Sequence, residues 1–166
     1  MTVPRISVVV PFYNNGDVLA DCLQSIASQT FGDLEVIMVD DGSTDDGPQI
    51  AQARAAADPR FTLLTVPNGG PGFARNQGAQ RASGEFLAFV DGDDMLPPQA
   101  YEVLLHTLEK SGSDFVSGNV YRIGTDGTRQ SALHFRAIKG TRIGTHITRT
   151  PQLLYDVTTW NKLFRK

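Results

Sequence analysis

The stretch Ile6-Ser-Val-Val-Val10 runs directly into Pro11-Phe-Tyr-Asn-Asn-Gly16. Its apolar residues are continuous and β-branched, and the run stops at turn formers. A strand with one solvated face would alternate. Continuous apolarity fits a strand buried on both faces, as in a parallel sheet. The pattern recurs at residues 34–39, 61–66 and 86–90, and a fifth apolar stretch lies at 115–120.

The intervening segments carry helical spacing. Val18, Leu19, Cys22, Leu23 and Ile26 make one stripe, with Asp17 placed as its N-cap. Pro48 follows Asp46-Gly47 and opens an alanine-rich helix over 49–57, as proline does at a first helical position. Residues 72–82 form a third helix, weakened by glycines. Pro97-Pro98 precede a fourth, lined on one face by Tyr101, Leu104, Leu105 and Leu108. This alternation of strand and helix predicts an α/β sandwich with right-handed crossovers. After Val120 the rhythm breaks. Thr125-Asp-Gly-Thr128 marks the tip of a hairpin joining 116–123 to 129–136, and the polar, threonine-rich stretch 137–166 receives no assignment.

The 166 residues fit one domain with a core of its own. Hydrophobic residues at 40% and charged residues at 20% exclude wholesale disorder. A net charge of -3, from 15 Lys+Arg against 18 Asp+Glu, gives no field for polyanions and argues against nucleic acid. The single cysteine, Cys22, excludes an intramolecular disulfide framework and fits a reducing compartment. No apolar run reaches the roughly 18 residues of a membrane span, and the N-terminus does not read as a cleavable signal.

Ligands of parallel α/β sheets bind beyond the carboxyl ends of the strands. After the first four strands come Pro11-Phe-Tyr-Asn-Asn-Gly16, Asp40-Asp41-Gly-Ser-Thr-Asp45, Pro67-Asn-Gly-Gly-Pro-Gly72 and Asp91-Gly-Asp-Asp94. Two carboxylate clusters and a glycine-rich turn therefore gather on one edge. The pair Asp91/Asp93 is all hard oxygen, which suits Mg2+ or Mn2+ better than zinc. An ion held by one or two carboxylates keeps positions open for phosphate, so a nucleoside diphosphate could be bound and stabilised as a leaving group. Asp94 alone reads as a cap for the helix after Pro97-Pro98. Ser43, Thr44 and Asp46 read as turn formers, while Asp41, or less favourably Asp40, could accept from a base or ribose. A calcium loop counted from Asp41 fails, with Asp46 and Gln52 where glycine and glutamate belong. A dinucleotide fingerprint fails at Arg75, and neither a P-loop nor a G-x-S-x-G elbow is present. Cys22 reads as core; His106, His134 and His146 read as surface residues.

Four blocks then stand in order: Ile6-Ser-Val-Val-Val-Pro-Phe-Tyr-Asn14, Val39-Asp-Asp-Gly-Ser-Thr-Asp45, Asn68-Gly-Gly-Pro-Gly-Phe-Ala-Arg-Asn-Gln-Gly78 and Gly84-Glu-Phe-Leu-Ala-Phe-Val-Asp-Gly-Asp-Asp94. Together they resemble the family 2 glycosyltransferases of GT-A fold, over about the first two-thirds of the chain, and Trp160-Asn-Lys-Leu-Phe164 is similar to a later family motif. The resemblance implies a Rossmann-like, mainly parallel sheet sandwiched by helices, with a C-terminal hairpin extension. It implies one GT-A domain over 1–166, truncated at its C-terminus, with a nucleotide-sugar-binding part at 1–110 and the start of an acceptor-side region at 111–166.

The donor implied is a nucleotide sugar, usually a UDP-sugar. By position, Pro11 and Tyr13 would line the base pocket, the Tyr13 ring would pack on uracil, and Asp41 would accept from the uracil edge. Arg75 and Asn76 would lie near ribose or phosphates, Asp91 would meet the ribose, and Asp93 would hold Mn2+ or Mg2+. Two plain alternatives stand beside this: Tyr13 as core, and Arg75 as the partner of a nearby acid. The reaction implied is inverting transfer to the hydroxyl of a saccharide, lipid-linked or polymer acceptor, as in cell-envelope polysaccharide synthesis. Its carboxylate base is expected beyond Lys166. Residence is expected in the cytoplasm, with the longer enzyme peripheral to the inner face of the membrane. A non-catalytic nucleotide-binding module and a sugar-phosphate nucleotidyltransferase are the rival readings.

Overall fold

A computed structural model describes residues 3–124, 127–130 and 161–166. The element order is β1 (Ile6–Phe12), α1 (Gly16–Ala27), β2 (Leu34–Asp40), α2 (Gly47–Ala57), β3 (Phe61–Thr65), α3 (Pro71–Arg81), β4 (Phe86–Phe89), α4 (Ala100–Ser111), β5 (Phe115–Ser117), β6 (Tyr121–Gly124), β7 (Gly127–Gln130) and β8 (Lys162–Arg165). A six-stranded sheet runs in the order β3-β2-β1-β4-β8-β5. Strands β1 to β4 are mutually parallel, while β8 lies antiparallel between β4 and β5.

The continuous apolar run behaves as its composition requires. All seven residues of β1 are buried, because neighbours cover both edges and helices cover both faces. The strand extends through Pro11 and Phe12, in register with Val39 and Asp40. Side chains alternate across it: Val8 and Val10 join the core with α1, α2 and α4, whereas Val9 joins the smaller core beneath α3. On the α3 side the contact is tight. A Cβ on Gly78 would stand 2.3 Å from Val9 Cγ1 and 3.1 Å from Val39 Cγ2, so only glycine lets that helix lie on the sheet.

Several local expectations change. Leu19, Cys22, Leu23 and Ile26 face the core, but Val18 is 40% exposed. The N-cap of α1 is Asn15 and not Asp17, which lies in the first turn. The cap of α4 is Gln99, so Asp94 does not serve that helix. Helix α2 begins as expected with Pro48 in its first turn, α3 begins at Pro71, which the sequence reading placed in the preceding turn, and α4 stops at Gly112 in the left-handed region. The apolar stretch 115–120 is strand only to Ser117. The hairpin exists as β6 and β7 with the pair Gly124↔Gly127 nearest the tip, so its first arm starts at Tyr121 and not at residue 116. Its expected continuation over 131–136, its tip residues Thr125 and Asp126, and His134, His146, Asp156 and Trp160 lie outside the described residues. His106 is exposed, as expected. Strand β8 had no counterpart in the sequence reading; Phe164 within it packs on Phe89 and Phe115, with ring centroids 6.5 and 5.9 Å apart.

A polar knot ties the amino edge of the sheet. Buried Ser7 donates from Oγ to Glu35 at 2.6 Å and accepts from the Gly84 amide at 2.8 Å, while the Ser83 amide and hydroxyl also donate to Glu35. Burial by itself pushes the Glu35 carboxyl up, but donation from Ser7, Ser83 and Gly84 outweighs it and holds the pKa below 4.5.

Two predictions follow from this packing. Gly78→Ala gains about 1 kcal/mol of helix propensity, yet overpacking against rigid valines costs about 1–3 kcal/mol; urea denaturation is expected to show a net loss of stability. For Glu35, a depressed folded pKa contributes stability that is present above the unfolded value and lost as pH falls through the folded one. Glu35→Gln is therefore expected to flatten the acid limb of a stability–pH profile below pH 4.5, and an unchanged limb would contradict the knot.

Candidate functional site

Because β1 to β4 are parallel, the segments after Phe12, Asp40, Thr65 and Phe89 emerge on one edge. Hydrogen bonds join these segments to one another. The Asp41 amide donates to Phe12 O at 3.0 Å, and the Gly92 amide to Pro11 O at 3.1 Å. A Cβ on Gly92 would stand 2.8 Å from Phe12 Cβ, which explains the glycine between Asp91 and Asp93. Asn14 sits at φ 52°, a conformation asparagine tolerates. Its amide donates to Ser43 Oγ, and its side-chain oxygen accepts from the Thr44 amide at 2.8 Å. The Asp45 carboxylate accepts from the amides of Gly16 and Gly47 at 2.7 and 3.0 Å, the first residues of α1 and α2. One carboxylate thus serves two helix N-termini.

The sequence reading missed Asn14 and Asp45 as builders of this edge. The available signal was turn chemistry, since Asn and Asp after a strand bond nearby backbone, as Asp45 does with Gly47. The bonds of Asn14 to Ser43 and Thr44 and of Asp45 to Gly16 cross between loops and carry no local mark.

Asp40 and Asp41 divide plainly. Asp40 is buried and accepts from the Ser43 amide at 2.8 Å, shaping its own turn. Asp41, 3% exposed, reaches the glycine-rich turn, where its two oxygens accept from Gly69 and Gly70 at 2.8 Å each. Each oxygen keeps a second lone pair for a ligand donor. Pro11 is buried in β1, and Tyr13 is 49% exposed at the rim, which removes the plain core reading for its ring. Asn76 is exposed on α3 and, like the Tyr13 ring, makes no side-chain bond to the other candidates among the described residues.

Arg75 and Asp91 meet: Nη2 lies 2.5 Å from Oδ1, and both side chains are about three-quarters buried. The Arg75 Nε is buried and has no partner among the described residues, so within them the guanidinium has donor capacity to spare. Beneath the loop, the Cys22 thiol lies 3.5 Å from the Asp91 carbonyl. Burial, then the carboxylates of Asp94, Asp93 and Asp91, push this thiol up to about 12, as an inert core thiol.

Asp93 is exposed and its carboxylate has no bonding partner among the described residues. Burial, then Asp93 and Asp91, push the Asp94 carboxyl up to about 6. Such crowded negative charge is what a cation relieves. Among the described residues no three His, Cys, Asp or Glu side chains gather closely enough to cage a metal. The donors this loop offers are carboxylate oxygens alone, a chemistry compatible with an ion of the Mg2+ type, which takes one or two carboxylates and completes its shell with water and phosphate.

A family profile, glycosyl transferase family 2, matches residues 7–166. The chain belongs to that family. GlyG of Streptococcus pneumoniae, a glycosyltransferase, is 41% identical over 117 residues, which cover 70% of this chain and 39% of GlyG. Among solved structures, S. aureus TarS 1-349 in complex with UDP-GlcNAc superposes with a TM-score of 0.80 at 29% identity, covering 97% of this chain and 45% of that one. The mannosyltransferase PcManGT from Pyrobaculum calidifontis, in complex with GDP-Man and Mn2+, gives 0.63 at 29% identity over 74% of this chain and 37% of its own. The chain thus spans less than half the length of these relatives. Its architecture is the GT-A fold, and the expected mainly parallel sheet flanked by helices is borne out. Among the described residues no helix is long and apolar enough to cross a membrane.

Asp41→Asn tests the bond that fixes the glycine-rich turn. The carboxamide would present an NH2 to one of two amides, at a cost on the order of 1–3 kcal/mol. A lower urea midpoint is expected; an unchanged one would mean the turn holds without Asp41.

Proposed function

We propose that this chain carries the donor site of a metal-dependent, inverting glycosyltransferase that uses a UDP-sugar. The observation that carries the reading is the bonded ring of post-strand segments, in which Pro11 meets Gly92, Asp41 meets Gly69 and Gly70, and Arg75 meets Asp91. In this reading Pro11 and the exposed Tyr13 ring take the base, and the spare lone pairs of Asp41 accept from its edge. Arg75, whose Nε has no partner among the described residues, and Asn76 lie along ribose and phosphates, and Asp91 accepts from a ribose hydroxyl.

Asp93 would hold Mn2+ or Mg2+, which when bound supplies Lewis-acid stabilisation of the departing diphosphate. In the transfer, an acceptor hydroxyl oxygen forms a bond to C1 of the sugar on the face opposite the diphosphate. The C1–O bond to phosphate breaks, and a carboxylate takes the hydroxyl proton, as in inverting glycosidases. The acceptor is read as a saccharide, lipid-linked or polymer hydroxyl in cell-envelope polysaccharide synthesis, at the cytoplasmic side of the membrane. The UDP-GlcNAc bound by TarS favours uridine over the guanosine seen with PcManGT.

Calorimetry of UDP, GDP and CDP, with and without Mn2+, tests this directly. UDP is expected to bind in preference to the other two, more tightly with Mn2+, and Asp93→Ala is expected to remove the metal's effect. UDP at about 100 times its Kd should stabilise the fold by about 2.7 kcal/mol in a thermal scan. Binding that ignores Mn2+ and Asp93→Ala would favour a non-catalytic nucleotide module instead.

A further inference from the structure

Three carboxylates stand within four residues at 91–94, and they are not equivalent. Asp91 is held by Arg75 at 2.5 Å, the one ion pair of this loop among the described residues. Asp93 is exposed and carries no partner there, and Asp94 is half-buried. The loop itself is fixed by backbone bonds, from Gly92 N to Pro11 O and from Asp94 N to Asp91 O, so its position does not depend on Arg75 alone. An arginine cannot lose its proton, and its charge-assisted bond is among the stronger polar contacts. The charge of Asp91 is therefore matched before any ligand arrives, whereas that of Asp93 is open.

We infer that Arg75 is a positioning residue that sorts the roles of these carboxylates: by neutralising Asp91 it keeps that side chain as a hydrogen-bond acceptor and directs a divalent cation to Asp93. The inference rests on the donor-site reading above, in which this loop holds a cation. Asp91 Oδ2 accepts nothing among the described residues, so the pairing with Arg75 leaves an oxygen available to a ligand hydroxyl. Without the guanidinium, Asp91 and Asp93 would become a two-carboxylate site, which attracts Mn2+ more strongly while giving up the ordered acceptor. The sign of that change separates sorting from mere bracing. A residue that only pinned α3 to the loop would, when removed, loosen the loop and weaken cation binding.

The test is titration of the purified full chain with MnCl2 as the only ligand, followed by the EPR signal of free Mn2+, with circular dichroism reporting the fold of each variant. Arg75→Gln is expected to bind Mn2+ about five- to tenfold more tightly than wild type, the scale of a modest coupling between sites. Arg75→Lys should fall back toward wild type, and Arg75→Gln with Asp91→Asn should lose the gain. With Arg75 present, Asp91→Asn leaves the guanidinium unmatched and should weaken Mn2+ binding, but by less than Asp93→Asn, which removes it; this pair carries the test if Arg75→Gln does not fold. Equal or weaker Mn2+ binding by folded Arg75→Gln overturns the inference, as does a loss from Asp91→Asn matching that from Asp93→Asn. If neither wild type nor Arg75→Gln binds Mn2+ alone, the inference also falls. The donor-site reading is judged separately, by Mn2+-dependent binding of UDP.

Discussion

Asp41 is nearly sealed from solvent, and its two oxygens accept from the amides of Gly69 and Gly70. A carboxylate in that position is costly unless its lone pairs are used. The glycine-rich turn satisfies it, and Asp41 in turn gives the unpaired amides ahead of α3 an acceptor. This exchange fixes where α3 begins, and α3 carries Arg75 to Asp91. The chain of dependence thus runs from β2 to the turn, to the helix, to the acidic loop after β4. The close seat of Gly78 on Val9 and Val39 completes it, because a helix held at both its start and its middle cannot slide.

The two edges of the sheet use polar groups differently. At the amino edge, Ser7 and Ser83 donate to one oxygen of Glu35 and Ser7 accepts from Gly84, so this network ties β1 and β2 to the segment ahead of β4. At the carboxyl edge, the Nε of Arg75, the second oxygen of Asp91 and the carboxylate of Asp93 have no partner among the described residues. The place of these groups agrees with the rule that parallel sheets bind beyond their carboxyl ends.

Legibility in the sequence followed the range of the forces involved. The run 6–10 is legible because burial on both faces favours β-branched residues in succession, whereas the continuation of β1 through Pro11 and Phe12 is masked by residues that read as turn. Pro48 announces a helix start because its missing N–H costs nothing there; Pro71 does the same for α3 but lies among glycines that read as turn. Asp17 and Asp94 misled for a shared reason. Both are acids near a helix start, but amides there are served by side chains from elsewhere: Asp45 accepts from Gly16 of α1, and Gln29 accepts from Tyr101 of α4. Strand β8 is four residues, too few to show a period, with Leu163 and Phe164 set between cations.

By itself the sequence determined that β1 to β4 are parallel and that glycine turns and paired acids follow them, and its four ordered blocks carry the resemblance to family 2. The strands and turns follow from local patterns, where burial and turn chemistry act, whereas the family rests on the resemblance of the blocks taken together. Only the tertiary structure decided that β8 enters antiparallel between β4 and β5, that Asp41 braces the glycine turn, and that Arg75 takes Asp91 and leaves Asp93 open. Those outcomes depend on which surfaces meet when distant segments pack. A guanidinium selects the carboxylate that packing brings within 2.5 Å, and no local spacing encodes that choice.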